Sequence, residues 1–507
     1  MTQDAAQITT STPDTDRDSD RRRWLALYVL CAGMLMIVLD ITIVNVALPS
    51  IQDDLGFSQS SLAWVVNAYL IAFGGLLLLS GRFGDILGRK GVFMAGLAVF
   101  TVASLLCGLA QSQEMLVGAR YIQGVGGAMT SAVILGMIVT MFPEKRERAK
   151  AIGVYAFVAS GGGSVGLVAG GVLTESINWH WIFFVNVPIA IVTALLASRL
   201  LERDRGIGFG DGADVPGAVL ITSSLMLGVY TIVSPAAEHG WGADRTLVLF
   251  AASLLLLAAF VVREARTGSA LIPLRIFRSP NVSGANAIQA LSVAGMFGMF
   301  FLGSLYLERV LGYSALEIGL AFIPVTIVMG TLSVRYTEPL IMRFGAKTMV
   351  VLGMTLIAAG LLLFTRTPVD GAYVQDMLAP MILFGLGAGL SFPALMTVAM
   401  SGATDEDAGL ASGLVNTSAQ VGGALGLAVL ATVSGSRTEG LIADGAATAS
   451  ALTSGYHLAY LIGAALVAVA VVVAVVVVRS EPADGAEESN TEPERAPQGE
   501  PAYSEAA

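Results

Sequence analysis

The chain has 507 residues, of which 55% are hydrophobic and 13% charged, and its formal net charge is −10 at pH 7. Its mean hydropathy of +0.74 excludes an ordinary soluble protein. No Walker-type phosphate loop and no H-E-x-x-H metal pair occur, and His180, His239 and His457 lie far apart in the sequence. We therefore expect neither an enzyme nor an ATP-driven pump, and we expect no metal or other cofactor.

Fourteen apolar stretches of about membrane thickness divide the chain. A hydrocarbon core of about 30 Å requires about 20 apolar residues per helix, and backbone groups in lipid must find their hydrogen bonds within the segment. The sequence therefore predicts an all-α polytopic membrane protein with spans at 24–48, 62–80, 92–110, 115–140, 151–173, 181–200, 216–234, 246–262, 283–307, 316–334, 348–364, 377–400, 409–433 and 456–478.

The positive charges alternate between the gaps. Of the 28 lysines and arginines, 23 lie in the two tails and at the even-numbered gaps, four lie in the odd-numbered gaps, and Arg120 lies within a span. The positive-inside rule then places both termini in the cytoplasm. The Ala/Gly/Val-rich composition suggests a high-GC bacterium, so we expect the chain in a bacterial inner membrane. We expect residues 1–23 and the acidic residues 479–507 to be disordered cytoplasmic tails. Partners are expected to be the bilayer and a small lipophilic molecule, with no nucleic acid and no second protomer.

The first span contains L-D-I-T-I-V-N-V-A-L-P at 39–49, in which Asp40 is the sole charge. An ionised aspartate at mid-helix costs about 2.5–3.5 kcal/mol on insertion scales, so its presence requires a reason. Thr42 and Asn45 share a helix face, whereas Asp40 points elsewhere. Two interpretations stay open: Asp40 binds a transported proton or cation, or it pairs with a neighbouring helix.

Two further spans carry unusual polar or small residues. In the fourth, Arg120, Gln123 and nearby glycines recur at helical spacing; the arginine can hold an anion or a carboxylate, but cannot itself carry a proton. The fifth reads S-G-G-G-S-V-G-L-V-A-G-G at 160–171, a smooth surface for close helix packing or for a moving seam.

The gap between the second and third spans reads G-R-F-G-D-I-L-G-R-K at 81–90. A turn that served only to set the orientation of the chain in the membrane would need the arginines and the lysine of this segment. It would need neither Asp85 nor this glycine spacing.

Together these segments resemble the major facilitator superfamily, and in particular its fourteen-span drug:proton antiporter branch. The resemblance implies that Asp40 and Arg120 serve proton coupling and that Gly81, Asp85, Gly88, Arg89 and Lys90 form a loop that locks the inner gate. The fifth span resembles an antiporter motif through Gly162, Gly166, Gly170 and Gly171, although Leu167 stands where proline is expected.

The resemblance also implies two six-helix bundles, at 24–200 and 283–478, with two additional helices within 201–282. Weak internal echoes agree with such a duplication. S-A-Q-V-G-G-A-L-G-L-A at 418–428 resembles the fifth span, and R-F-G-A-K at 343–347 resembles L-G-R-K at 87–90, with Met342 in place of Asp85.

We expect proton-coupled export of lipophilic small molecules by alternating access, with protonation of Asp40 from outside favouring the inward-facing state. Candidate substrate contacts are polar residues within spans: Asn45, Gln123, Asn286, Gln289, Asn416 and Gln420. The last four are explained at least as well by interhelical hydrogen bonds. The alternatives are a dedicated exporter of one natural product, metabolite or lipid, and a symporter or facilitator.

Overall fold

The computed structural model describes residues 13–479 except 203, 205, 207, 209–213, 269 and 402–407. Throughout this part of the chain the regular structure is helical. The α-helices are α1 Pro13–Leu55, α2 Gln59–Leu87, α3 Arg89–Gly108, α4 Gln113–Met141, α5 Lys145–Ser176, α6 Trp181–Phe184, α7 Asn186–Leu200, α8 Val215–Val233, α9 Pro235–His239, α10 Asp244–Arg266, α11 Pro280–Arg309, α12 Ala315–Ala321, α13 Ile323–Thr331, α14 Thr337–Phe344, α15 Ala346–Phe364, α16 Leu378–Ser401, α17 Ala408–Ala443 and α18 Thr448–Val476.

Twelve helical segments of the described chain are long and apolar enough to cross a membrane, and they coincide with twelve of the fourteen predicted spans. The other two predictions fall on shorter apolar stretches, Val165–Ser176 within α5 and Ala315–Thr331 across α12 and α13. The second of these stretches is interrupted at Phe322, before Pro324 at the start of α13. Proline lacks an amide hydrogen and clashes with the preceding turn, which accounts for the break.

The first helix begins earlier than the sequence predicts. It starts at Pro13, so residues 13–23 of the predicted disordered tail are helical, and Arg23 pairs with Asp20 one turn earlier at 2.7 Å. A pair at this spacing supports a helix end that protrudes beyond the apolar segment. Residues 1–12 and 480–507, which include nearly all of the predicted acidic tail, lie outside the described residues.

The helices pack as two bundles with an additional pair at one side. In the first half α1 packs on α5 and α7, and α4 packs on α2 and α3; in the second half α11 packs on α17 and α18, and α15 packs on α16 and α18. The additional helices α8 and α10 pack on each other, and α8 contacts α2 of the first half and α17 of the second. The additional pair thus lies along the seam that α2 and α17 form.

Hydrogen bonds define two ends of the molecule. At the first, which we call the basic end, Arg22 donates to the Arg199 carbonyl, Lys90 to the Leu201 carbonyl and Lys347 to the Val478 carbonyl. At the other, which we call the opposite end, Trp179 donates to Asp54 at 2.9 Å. Both the start of α1 and the end of α18 lie at the basic end.

Candidate functional site

Asp40 and Arg120 form a buried ion pair between α1 and α4. The Arg120 Nη1 atom donates to Asp40 Oδ2 at 2.6 Å, and the two side chains are 1% and 0% exposed respectively. The same guanidinium donates through Nε to the Val65 carbonyl at 2.9 Å. Two candidates from separate spans therefore meet, and the pair ties α1, α4 and α2 together inside the first half.

Two amides complete the shell around the carboxylate. Gln123 Nε2 and Asn186 Nδ2 both donate to Asp40 Oδ1, at 2.7 and 2.9 Å. Both amides also lie within hydrogen-bonding distance of Ser104 Oγ, and that hydroxyl donates to the Phe183 carbonyl. The network thus reaches α3 and the α6–α7 segment, so five helical segments of the first half converge on one carboxyl group.

Aromatic rings cover the guanidinium. The Arg120 Cζ atom lies 4.5 Å from the Tyr69 ring centroid and 5.7 Å from the Phe183 ring centroid. Rings at these distances attract a cation through their quadrupole while excluding water. The pair is consequently sealed from solvent in this conformation.

Every hydrogen-bond partner of the Asp40 carboxyl group is a donor, so the site is complementary to a carboxylate. Of the two interpretations of Asp40, pairing with a neighbouring helix is present in this geometry. Transfer of a proton requires in addition that the pair with Arg120 open. Removing one member of a buried ion pair costs about 3–5 kcal/mol because the other charge stays behind unpaired.

The predicted gating loop lies at the basic end, where Arg89 and Lys90 bond to the first half and to Asp204 of its linker. Arg89 donates to Asp85 at 3.1 Å and to the Gly136 carbonyl at 2.9 Å. Lys90 donates to the Ser198 and Leu201 carbonyls. Gly88 has a φ of 97°, a conformation that glycine adopts at little cost. Gly81 lies on α2 and faces Ala132, at ordinary contact distance.

The glycines of the fifth span pack α5 against two helices. A Cβ atom at Gly162 would contact Val38, one at Gly166 would contact Thr42, and one at Gly170 would lie 2.7 Å from the Ile43 carbonyl oxygen, all on α1. These three glycines recur every four residues and so form a single face.

The fourth glycine of that motif packs across the seam between the halves. A Cβ atom at Gly171 would lie 2.7 Å from the Ala315 carbonyl oxygen of α12, and one at Gly319 would lie 2.6 Å from the Leu167 carbonyl oxygen. The two backbones therefore touch at two glycines. Leu167, at the position where proline was expected, is buried at this seam within the continuous helix α5.

Polar contacts join the halves at the same opposite end. Asp53 at the end of α1 forms an ion pair with Arg309 at the end of α11, and the Leu316 amide donates to Glu175 at 2.9 Å. A third contact runs from Arg309 to the Pro49 carbonyl at 3.4 Å. The opposite end is therefore closed in this structure.

The six candidate substrate contacts fall into different environments. Gln123 belongs to the ion-pair network, and Asn286 accepts from Ser418 at 2.7 Å, which is an interhelical hydrogen bond. Asn45 is buried, its amide donates within α1, and its carbonyl oxygen has no hydrogen-bond partner among the described residues. Gln289 and Gln420 are half-buried, and Asn416 is exposed.

Ser104 and Asn186 are members of the site that sequence reasoning missed. Asn186 is the single asparagine of its predicted span, and an uncharged polar group in lipid needs a hydrogen-bond partner just as a charge does. That signal was available for Asn186. A lone serine carries too little information, because its hydroxyl can bond to the carbonyl of its own helix.

Comparison with known proteins agrees with the fold. The sequence profile of the Major Facilitator Superfamily matches residues 30–427. The puromycin resistance protein pur8 of Streptomyces alboniger is 39% identical over 484 residues, covering 94% of this chain and 96% of that protein. The cephamycin export protein CmcT of Amycolatopsis lactamdurans is 42% identical over 421 residues, covering 83% and 86%.

A solved structure shares the architecture at low identity. A bacterial homologue of the human lysosomal transporter Spinster, in an inward-facing and unoccupied conformation, superposes with a TM-score of 0.65 at 16% identity, covering 92% of this chain and 97% of the other. This similarity concerns the fold alone. On the profile match and the length-wide similarity to the two resistance and export proteins, this chain belongs to the major facilitator superfamily.

Proposed function

We propose that this protein exports lipophilic small molecules, antibiotics among them, across the inner membrane of a bacterium in exchange for protons. Both termini are then cytoplasmic, the basic end faces the cytoplasm, and the opposite end faces outward. Export is supported by the similarity to proteins named for puromycin resistance and cephamycin export along nearly the whole chain. We further propose that it acts as a monomer, with the proton-motive force in place of a chemical cofactor.

The observation that carries the coupling proposal is the buried pair of Asp40 and Arg120. An acid 0% exposed, in the middle of a membrane helix, is stable as a carboxylate only while its donors stay in place. Taking up a proton removes the need for the arginine. The pair therefore provides two arrangements of α1 against α4, one with the carboxylate bound and one with the acid released.

The proposed cycle starts from the closed opposite end. With Asp40 paired, the molecule has delivered its proton and can take up substrate from the basic end. Opening of the opposite end separates Asp40 from Arg120, and a proton from outside neutralises the acid. Arg120 keeps its bonds to the Val65 carbonyl and to Gln123 Oε1 in the meantime.

The energy of one proton is sufficient for useful export. One elementary charge is worth about 2.3 kcal/mol per 100 mV. At about 150 mV this gives about 3.5 kcal/mol, and because a tenfold gradient costs about 1.4 kcal/mol, one charge sustains between two and three decades of concentration.

A dedicated exporter of one natural product is the second candidate. It is favoured by the names of the two relatives, each of which refers to a single antibiotic. A panel of unrelated lipophilic antibiotics and dyes, tested on expressing cells, separates the two. Resistance to one compound alone supports the dedicated exporter.

The coupling proposal is tested by dye efflux in inverted membrane vesicles, with and without an imposed pH gradient. We expect the gradient to accelerate transport by the wild type and to have no effect on Asp40→Asn. Gradient-driven transport that persists in this variant would overturn the coupling role, and a facilitator would show no gradient dependence at all.

Asp214→Asn is the matched control. Asp214 is 2% exposed and accepts from Arg263 at 2.6 Å, so it is also a buried, arginine-paired acid, but it precedes α8 at the basic end. We expect this variant to keep its response to the gradient. If both variants lose it equally, the loss reports damage to folding, and the role of Asp40 is unsupported.

A further inference from the structure

A cavity of about 880 Å³ lies between α2, α4 and α8 toward the opposite end. Its lining residues come from these three helices and the turns beside them, so it lies apart from the α5–α12 seam, and neither Asp40 nor Arg120 lines it. It extends along α8 from Thr222 to Ser234, a distance of about 18 Å at 1.5 Å per residue. This length suits an elongated amphipathic molecule.

The walls are aromatic. Phe57, Trp64, Tyr121 and Tyr230 supply four rings, and Tyr230 is held by a hydrogen bond that its hydroxyl accepts from Arg245 at 3.2 Å. Aromatic faces bind organic cations with about 0.5–2 kcal/mol per ring, depending on how far the cation is desolvated. A cavity with four rings thus favours a positively charged, apolar guest over a neutral polar one.

The two ends of the cavity differ in polarity. Glu114, in the first turn of α4, is exposed and is the ionised residue of the lining. At the other end Thr222 is 6% exposed, and its hydroxyl lies against Gly75 without a hydrogen-bond partner among the described residues. A carboxylate at the mouth and the apolar side chains of Val117, Met226 and Leu227 deeper in the lining leave a place for a cationic head and for an apolar body.

We propose that this cavity is a second binding site, for a lipophilic organic cation whose charged group lies beside Glu114 and whose apolar body extends toward Thr222. The same chemistry occurs in an exported drug-like cation and in the ammonium headgroup of a phospholipid. The site is separate from the coupling pair, so it goes beyond the exchange mechanism. It opens toward the outer half of the membrane if the basic end is cytoplasmic.

The wall of this site adjoins the coupling pair. Trp64 directly precedes Val65 on α2, and Tyr121 directly follows Arg120 on α4. Val65 and Arg120 are the two residues joined by the Nε hydrogen bond. A guest between the two rings therefore contacts the same stretches of α2 and α4 that hold the guanidinium. Binding at this site should therefore differ between the arrangement in which Asp40 and Arg120 are paired and the one in which they are apart.

The test uses a triphenylphosphonium cation that carries a benzophenone, crosslinked by light to the full-length protein in nanodiscs made of phosphatidylglycerol alone, with no gradient. Peptide mapping by mass spectrometry locates the label. We expect label on the lining stretches of α2, α4 and α8, reduced about fivefold in Glu114→Gln and about tenfold in Trp64→Leu. Label found only elsewhere, or unchanged in both variants, overturns the proposal.

Two controls match these changes. Asp444→Asn removes an exposed acid and Trp241→Leu an exposed tryptophan, both outside the lining, and neither should reduce the label. Because Glu114 is exposed, Glu114→Gln is expected to fold even if Trp64→Leu does not. Crosslinking at equilibrium requires no proton transfer, so it is repeated in Asp40→Asn, where label at this site persists even if the exchange proposal fails.

A second measurement identifies the source of the cation. Native mass spectrometry of protein extracted from membranes of phosphatidylethanolamine and phosphatidylglycerol shows which lipid stays bound. If phosphatidylethanolamine stays bound to the wild type and not to Glu114→Gln, the site is assigned to a lipid headgroup. Crosslinking without retained lipid assigns it to a drug-like cation.

Discussion

The two halves of this protein share one anchor and differ in where they carry charge. Gly88 and Gly345, with φ of 97° and 82°, precede α3 and α15, and two residues further on Lys90 and Lys347 each donate to two backbone carbonyls at the end of the last helix of their half. The faint sequence echo at 343–347 therefore marks equivalent structure at the basic end of both halves.

Beyond that anchor the halves diverge. Asp85 and Arg89 pair in the first half, whereas Met342 and Ala346 occupy the corresponding positions of the second. Inside, the first half holds the ion pair, whereas the polar contact between α11 and α17 joins the uncharged Asn286 and Ser418. The buried pair of Asp40 and Arg120 thus has no charged counterpart in that contact between α11 and α17, and this asymmetry is the comparison that the predictions below test.

The largest expected effect comes from removing the charge asymmetry itself. Asp40→Asn and Arg120→Gln should each destabilise the protein by about 3–5 kcal/mol, because each leaves a buried charge without its partner. The double variant should recover most of this loss and still fail to respond to a pH gradient. Thermal unfolding in detergent and vesicle efflux measure the two properties separately.

The double variant also distinguishes a structural role of the Asp40–Arg120 pair from a role in coupling. If it regains stability and gradient-driven efflux together, the pair serves packing alone. If it regains neither, the individual hydrogen bonds of this shell matter more than its charges.

The next effect is expected where the halves touch. Gly171→Ala would bring a Cβ atom to 2.7 Å from the Ala315 carbonyl oxygen, a backbone atom that cannot turn aside. Overpacking of this kind costs about 1–3 kcal/mol, and here it acts only on the closed opposite end. Spin labels at the exposed positions Gln111 and Asp444 should report longer distances between the two labels and a larger fraction of molecules whose opposite end is open.

Gly163→Ala on the same helix is the control. Its Cβ atom would lie 3.7 Å from Thr42, an ordinary contact, so the distance distribution should match that of the wild type. An unchanged distribution in Gly171→Ala as well would mean that the seam does not limit opening.

The sequence predicted most of the helices and half of the site, for identifiable reasons. Apolar length and alternating charge located the spans, and the cost of charge in lipid singled out Asp40 and Arg120. Their pairing was not predicted, because α1 and α4 meet only in the folded bundle. For the same reason the sequence offered Gln123 only as a candidate substrate contact, and the contact of Gly171 with α12 could not be inferred from a motif that lies within one helix.

The basic-end anchors allow a sharper test of the comparison. Lys90→Met and Lys347→Met each remove hydrogen bonds to two helix-end carbonyls, so both should lower stability by a similar amount, about 1 kcal/mol. Arg89→Ala makes the first loop resemble the second, and loss of its half-buried pair with Asp85 and of its bond to the Gly136 carbonyl should cost about 1 kcal/mol. If that change still slows efflux strongly, the loop acts in gating, and thermal unfolding beside vesicle efflux separates the two effects.

The smallest effect is expected in the linker that joins the halves. Burial by itself raises the pKa of Asp214, but the hydrogen bonds from Arg263, from the Gly217 amide and from the Glu264 side chain outweigh it, so that the pKa lies below its ordinary value. A lowered pKa means that the stabilisation is complete above the pKa of the unfolded state, about 3.9, and is lost as the pH falls through the pKa of the folded state.

Asp214→Asn keeps a side chain able to accept from the Gly217 amide and loses the charge, so it should cost about 1 kcal/mol at neutral pH and little at acidic pH. Thermal unfolding from pH 7 down to pH 3 should therefore bring the two proteins together, and a constant difference across that range would show that the pair with Arg263 contributes through packing instead of charge.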